Sequence, residues 1–108
     1  MKREDIVLVA LSGGYGKPRP AIIIQSDLFN PTHLSYVICP ITSKLQDSPL
    51  YRITLEPSSQ NGLKVISQIM VDKIQATHRK SIDKIIGSVE GEYVTRLNRL
   101  LMTFLDLP

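Results

Sequence analysis

The hydrophobic period of this chain changes once along its length, and that change bounds the fold. Up to about residue 70 the apolar residues come in short runs rich in valine and isoleucine, at residues 6–11, 19–25, 34–41, 51–56 and 64–70. Within 51–56, Tyr-Arg-Ile-Thr-Leu-Glu, apolar and polar side chains alternate, as on a half-exposed strand. Between the runs stand Asn30-Pro31, Ser48-Pro49, Pro57-Ser58-Ser59 and Asn61-Gly62, the last a hairpin-type signal. Residues 83–86 predict one more short strand. From Glu92 onward, Val94, Leu97, Leu100, Leu101, Phe104 and Leu105 recur at steps of three and four, which is one face of an amphipathic helix. Arg96, Asn98, Arg99 and Thr103 fall largely on the other side. Short strands at this spacing followed by one helix predict a mainly β (α+β) fold, a small antiparallel barrel or sandwich. The helix is expected to cap its open end and supply core; a partner-binding helix is the alternative.

The chain has 108 residues, without a repeat, low-complexity tract or linker, so a single domain over 1–108 is expected. With 43% hydrophobic and 21% charged residues it is not a disordered sequence. Cys39 is the only cysteine, which excludes an internal disulfide, and its apolar flanks predict a buried thiol. The opening Met-Lys-Arg-Glu-Asp is not a signal peptide, and no run reaches the ~18 apolar residues of a membrane span. A cytoplasmic location and no membrane partner are therefore expected. The net charge of +3 permits a nucleic-acid partner without demanding one.

Three places carry candidate chemistry. In Gly-Gly-Tyr-Gly-Lys-Pro-Arg-Pro, Pro18 and Pro20 restrict the backbone on both sides of Arg19, and Gly13, Gly14 and Gly16 allow a tight approach. A guanidinium on a stiff support suits a phosphate, because its planar fork matches two oxygens. In Cys39-Pro40-Ile41-Thr42-Ser43-Lys44 an apolar run ends in two hydroxyls and an ammonium, groups that hydrogen-bond and neutralise phosphates, though a plain turn has the same composition. In Ile66-Ser67-Gln68-Ile69-Met70-Val71-Asp72, alternation puts Gln68 on the same side as Ile66. An amide on an apolar side must serve a structural hydrogen bond or line a cleft. There is no Cys-x-x-Cys, His-Glu-x-x-His, carboxylate cluster or phosphate-binding Gly-x-x-x-x-Gly-Lys; His33 and His78 stand alone. Neither a metal nor a nucleotide cofactor is expected.

The order of three segments, "DIVLVALSGGYGKPRPAIIIQSD", "VICPITS" and "GLKVISQIMVDKI", followed by the amphipathic helix, resembles the MazF/PemK family of toxin–antitoxin ribonucleases over nearly the whole chain. Arg-Pro before an aliphatic strand is the most specific piece. The resemblance implies an SH3-like β-barrel with a packed C-terminal helix, a homodimer, and metal-independent, sequence-specific cleavage of single-stranded RNA. It implies that Arg19 and Thr42 are the catalytic pair, that Gln68 lies near the RNA path, and that an antitoxin protein is the partner. Lys17, Ser43 and Lys44 are expected to hold flanking phosphates. The loop before Arg-Pro, residues 12–18, is shorter than in many members. Two rival readings share the barrel: a toxin that poisons gyrase, and a non-catalytic nucleic-acid-binding module.

Overall fold

The computed structural model describes residues 1–10 and 17–108. Gly13, Gly14, Gly16 and the end of the first expected strand, Leu11, lie outside the described residues. The chain forms β1 (Asp5–Val9), β2 (Arg19–Ile23), β3 (Ser35–Thr42), β4 (Arg52–Leu55), β5 (Ser67–Met70), β6 (Gln75–His78), β7 (Ile82–Ser88) and the helix α1 (Gly91–Phe104). Short 3-10 turns, Val71–Lys73 and Arg79–Ser81, flank β6. The strands make one seven-stranded sheet in the order β4-β5-β3-β2-β1-β7, with β6 added to β3. All pairings are antiparallel.

The central strand β3 serves two halves of this sheet. Its residues 35–38 pair with β6 and its residues 38–40 with β2, and its last residues, Ile41 and Thr42, pair with Ile69 and Gln68 of β5. The path of strands is open, and the gap between its ends is bridged by a loop. The amide of Ser88 on β7 donates to Gln60 O at 2.9 Å, and Gln60 lies in the loop joining β4 to β5. This is the barrel class expected, with side-chain and loop contacts in place of a last strand pairing.

Both faces of β1–β2–β3 are apolar because aliphatic residues fill consecutive positions. Ile6, Ile22, Cys39, Ile53, Leu55 and Ile69 point inward, where α1 covers them with Leu97, Leu100 and Leu101. Val7, Val9, Ala21, Ile23, Tyr36 and Ile38 form a second cluster on the other face. The guanidinium of Arg79 lies 4.8 Å over the Tyr36 ring. The apolar stripe of α1 is shorter than the sequence suggests. Phe104 and Leu105 are exposed, so the core draws on the helix from Tyr93 and Val94 to Leu101 and not on its last turn.

Several boundaries differ from the sequence expectation. β5 starts at Ser67 and not at Lys64, since Val65 and Ile66 are exposed and belong to the preceding loop. β6 was not expected at all. Gln-Ala-Thr-His has no apolar alternation and becomes a strand only by pairing with residues 35–38 of β3. Asn61-Gly62 is not a two-residue hairpin turn. The Asn61 side chain is fully buried, accepts from the Ser58 and Leu63 amides at 3.0 Å each, and donates to Glu56 O at 2.8 Å. Gly62 has φ +70, and a Cβ there would meet Ile86 O at 2.1 Å. The pair therefore shapes a long loop against β7, with glycine needed for both conformation and space.

Candidate active site

Where β2 begins and β3 ends, the sheet leaves a groove of about 640 Å³. Its walls are Leu8 of β1, Arg19 and Pro20 of β2, Pro40, Ile41 and Thr42 of β3, the loop around Gly62 to Val65, and Lys84 and Ile86 of β7. Register explains why Arg19 and Thr42 meet here. Arg19 pairs with Val9, and Ala21 pairs with Pro40, so the head of β2 lies beside the tail of β3. Arg19 is exposed and Thr42 half-buried. The two residues that the sequence marked at separate places thus line one hollow.

Thr42 is held in a particular way. The Lys44 amide donates to Thr42 Oγ1 at 3.1 Å. That bond occupies a lone pair of the hydroxyl and leaves its hydrogen free to donate. Ser43 and Lys44 also line the groove. Lys17, two residues before Arg19, is exposed and does not line it.

Gln68 departs from its expected place. It pairs with Thr42 across β3 and β5, yet it does not line the groove. It is 6% exposed, and its amide is engaged on every side. Its Oε1 accepts from the Gln46 amide and from Arg52 Nη1, each at 3.0 Å, and its Nε2 donates to Gln46 O and Thr54 Oγ1, each at 3.1 Å. An amide with four such partners has no donor or acceptor left for a ligand. Both uses the sequence left open are found together: the amide is hydrogen-bonded, and the side chain lines a second, smaller cleft of about 190 Å³ beside Gln46, Arg52 and Thr54. Ile66, expected to share its side, is exposed.

The groove gains cations that sequence reading did not select. Lys64 comes from the loop and Lys84 from β7, and with Arg19 and Lys44 they make the rim positive. The described residues that line it include no carboxylate, imidazole or thiol. Single lysines at a strand edge carry no local signature, so only the fold could bring them together. Among the described residues no group of three or more His, Cys, Asp and Glu is placed to hold a metal ion. Cys39 is fully buried; burial pushes its thiol up to about 12, with the charge of Asp72 adding to the shift. It is a core residue, as its flanks predicted.

The sequence profile of PemK-like, MazF-like toxins of type II toxin–antitoxin systems matches residues 2–105. A curated protein of Mycolicibacterium smegmatis (strain ATCC 700084 / mc(2)155), named probable endoribonuclease MazF, is 39% identical over 108 residues, covering 99% of this chain and 98% of its own. The solved structure of the Mycobacterium tuberculosis toxin MazF-mt6 superposes with a TM-score of 0.83 at 20% identity, over 96% of this chain and 98% of that one. An endoribonuclease in complex with its cognate antitoxin from Mycobacterial species gives 0.85 at 20% identity, over 100% and 97%. The chain folds as these toxins do, and it belongs to the PemK-like, MazF-like toxin family of type II toxin–antitoxin systems.

Proposed function

We propose that the chain is an endoribonuclease that cuts single-stranded RNA in the groove between Arg19 and Thr42, and that it acts as the toxin of a pair with a cognate antitoxin protein. The observation that carries this reading is the shared groove itself: a guanidinium, a hydroxyl with a free proton and a lysine-lined rim, with no carboxylate among its described lining residues. A polyanion is attracted to such a surface and a reacting phosphate finds donors on it. The curated relative's name, probable endoribonuclease MazF, supports the activity. The likeness to a solved endoribonuclease–antitoxin complex supports the partner.

The reaction is attack of the RNA 2′-hydroxyl on the adjacent phosphorus. The 2′-hydroxyl gives its proton to water, the bond from phosphorus to the 5′-oxygen breaks, and that oxygen takes a proton from water, giving a 2′,3′-cyclic phosphate and a 5′-hydroxyl end. Negative charge grows on the phosphoryl oxygens as the five-coordinate centre forms. Arg19 neutralises that charge, and Thr42 donates its free hydrogen to an oxygen of the same centre. A preorganised donor of this kind contributes ~3–4 kcal/mol, roughly a hundred- to thousandfold in rate. Arg19 acts electrostatically, because its planar, positively charged fork matches two phosphoryl oxygens. Lys17, Ser43 and Lys44 hold flanking phosphates, which gives affinity and not sequence choice. Bases are read from unstacked single strands. The working form is a cytoplasmic homodimer, and the chemistry needs no metal or other cofactor.

Incubating the protein with a long RNA in EDTA tests the reading. Cleavage at preferred sequences, with cyclic phosphate and 5′-hydroxyl ends, is the expected result. Intact RNA at every salt concentration, together with blocked DNA supercoiling, overturns it.

A further inference from the structure

Beside the groove lies a buried cation that the chemistry above does not use. Arg52 of β4 is 9% exposed. Its Nη1 donates to Lys44 O at 2.8 Å and to Gln68 Oε1 at 3.0 Å, and its buried Nε has no partner among the described residues. No carboxylate lies within ion-pair distance of it among the described residues. A guanidinium held by neutral acceptors at the edge of a small cleft, with its Nε–H buried and unpaired, is costly. An aliphatic residue would fill the place without that cost, so the position calls for an explanation beyond packing.

The backbone of Lys44 supplies one. Its carbonyl is held by Arg52, and its N–H is held by the Thr42 hydroxyl oxygen at 3.1 Å. The next turn of this segment is fixed as well, because the Gln46 amide and carbonyl both bond the Gln68 side chain. Hydrogen bonds therefore run from Gln68 through Arg52 to the Lys44 carbonyl, and the backbone of Lys44 links them to the N–H that bonds Thr42 Oγ1. We propose that Arg52 is a positioning residue. By holding the Lys44 carbonyl it fixes the backbone of that residue, keeps its N–H on Thr42, and so keeps the Thr42 hydroxyl aimed into the groove. The inference rests on the reading of Thr42 as a catalytic residue. A donor swung away from the reacting phosphate loses rate while the positive rim still binds RNA.

Three measurements on the full chain test this, using Arg52→Met and, keeping the charge but not the fork, Arg52→Lys. Amide hydrogen exchange at Lys44 is expected to speed up by about tenfold or more, with exchange in β1 and β2 unchanged. Single-turnover cleavage of an RNA oligonucleotide that contains the mapped cut site is expected to slow by about ten- to a hundredfold. The affinity for that oligonucleotide, measured in competition with uncut single strands, is expected to stay within about twofold. Should Arg52→Met melt at the assay temperature, Arg52→Lys carries the same expectations in smaller degree. Unchanged exchange at Lys44 overturns the proposal, and so does faster exchange with undiminished cutting. Weakened RNA binding at an undiminished cleavage rate also overturns it, since that would make Arg52 a binding residue. A wild-type chain that cuts no RNA sinks the ribonuclease reading instead, and the exchange measurement then still judges the clamp.

Discussion

The role proposed for Thr42 rests on a bond it accepts, since the Lys44 amide holds the hydroxyl oxygen and leaves its hydrogen free to donate. Thr42→Ala should lower the cleavage rate by roughly a hundredfold, the scale of one lost preorganised donor, with RNA binding retained. Full activity in that variant would remove Thr42 from the mechanism. Arg19→Ala should collapse cutting by a similar or larger factor while binding holds; a parallel loss of both would favour a binding module over an enzyme. The described groove residues hold no imidazole, carboxylate or thiol, the groups that usually serve as a general base between about pH 5 and 8. The logarithm of the cleavage rate should thus rise steadily over that range as the 2′-hydroxyl ionises. A plateau set by a group near 6 would point to a base outside those residues. Cys39 makes a separate prediction. Held neutral up to about 12, against 9.0 for an ordinary thiol, it should resist iodoacetamide at pH 8 in the folded protein and react once denaturant is added. The linked stability is intact below pH 9 and falls as the pH climbs toward 12, because only the unfolded chain ionises there.

At the scale of elements, the loop between β4 and β5 does two tasks. It bridges the open sheet to β7, and its residues 62–65 wall the groove. Gly62 is the tightest point, with positive φ and the Ile86 carbonyl 2.1 Å from where a Cβ would sit. Gly62→Ala should cost at least about 2 kcal/mol, a fall in Tm of roughly 8 °C or more by thermal melting, and it should cut RNA poorly because the wall moves. A variant with wild-type Tm and activity would show that the loop tolerates a displacement this geometry does not allow. The same loop carried Asn61-Gly62, read from sequence as a hairpin signal. Local turn chemistry was right about the glycine's backbone and wrong about the topology, because the Asn61 side chain folds inward to organise eleven residues of loop, 56–66, and not two.

For the molecule as a whole, charge placement outweighs charge total. A net charge of +3 is modest, yet Arg19, Lys44, Lys64 and Lys84 converge on one groove from four separate stretches of chain. Each phosphate held by a cation changes the log–log salt slope of single-strand binding by about −0.7. Lys64→Ala and Lys84→Ala should each flatten that slope by about this amount, uniformly across RNA sequences. Unchanged slopes would take those lysines off the RNA path. Lys17, exposed and outside the groove lining, should matter less than either.

The strands, the helix and the family were written in local order, because hydrophobic period, turn residues and the Arg-Pro, Pro-x-Thr-Ser and Ser-Gln segments are properties of neighbouring positions. Arg19 and Thr42 were picked out through the resemblance that the order of those segments carries, since the residues around Thr42 by themselves read equally as a plain turn. Three matters waited for the fold. β6 exists only because β3 offers it an edge. Lys64 and Lys84 became groove residues only when a loop and β7 brought them to the head of β2. Gln68 and Arg52, polar residues in alternating strands, were claimed by hydrogen bonds to the segment after Thr42. A sequence fixes which side of a strand a residue takes, whereas its partners there come from distant parts of the chain that only tertiary packing brings close.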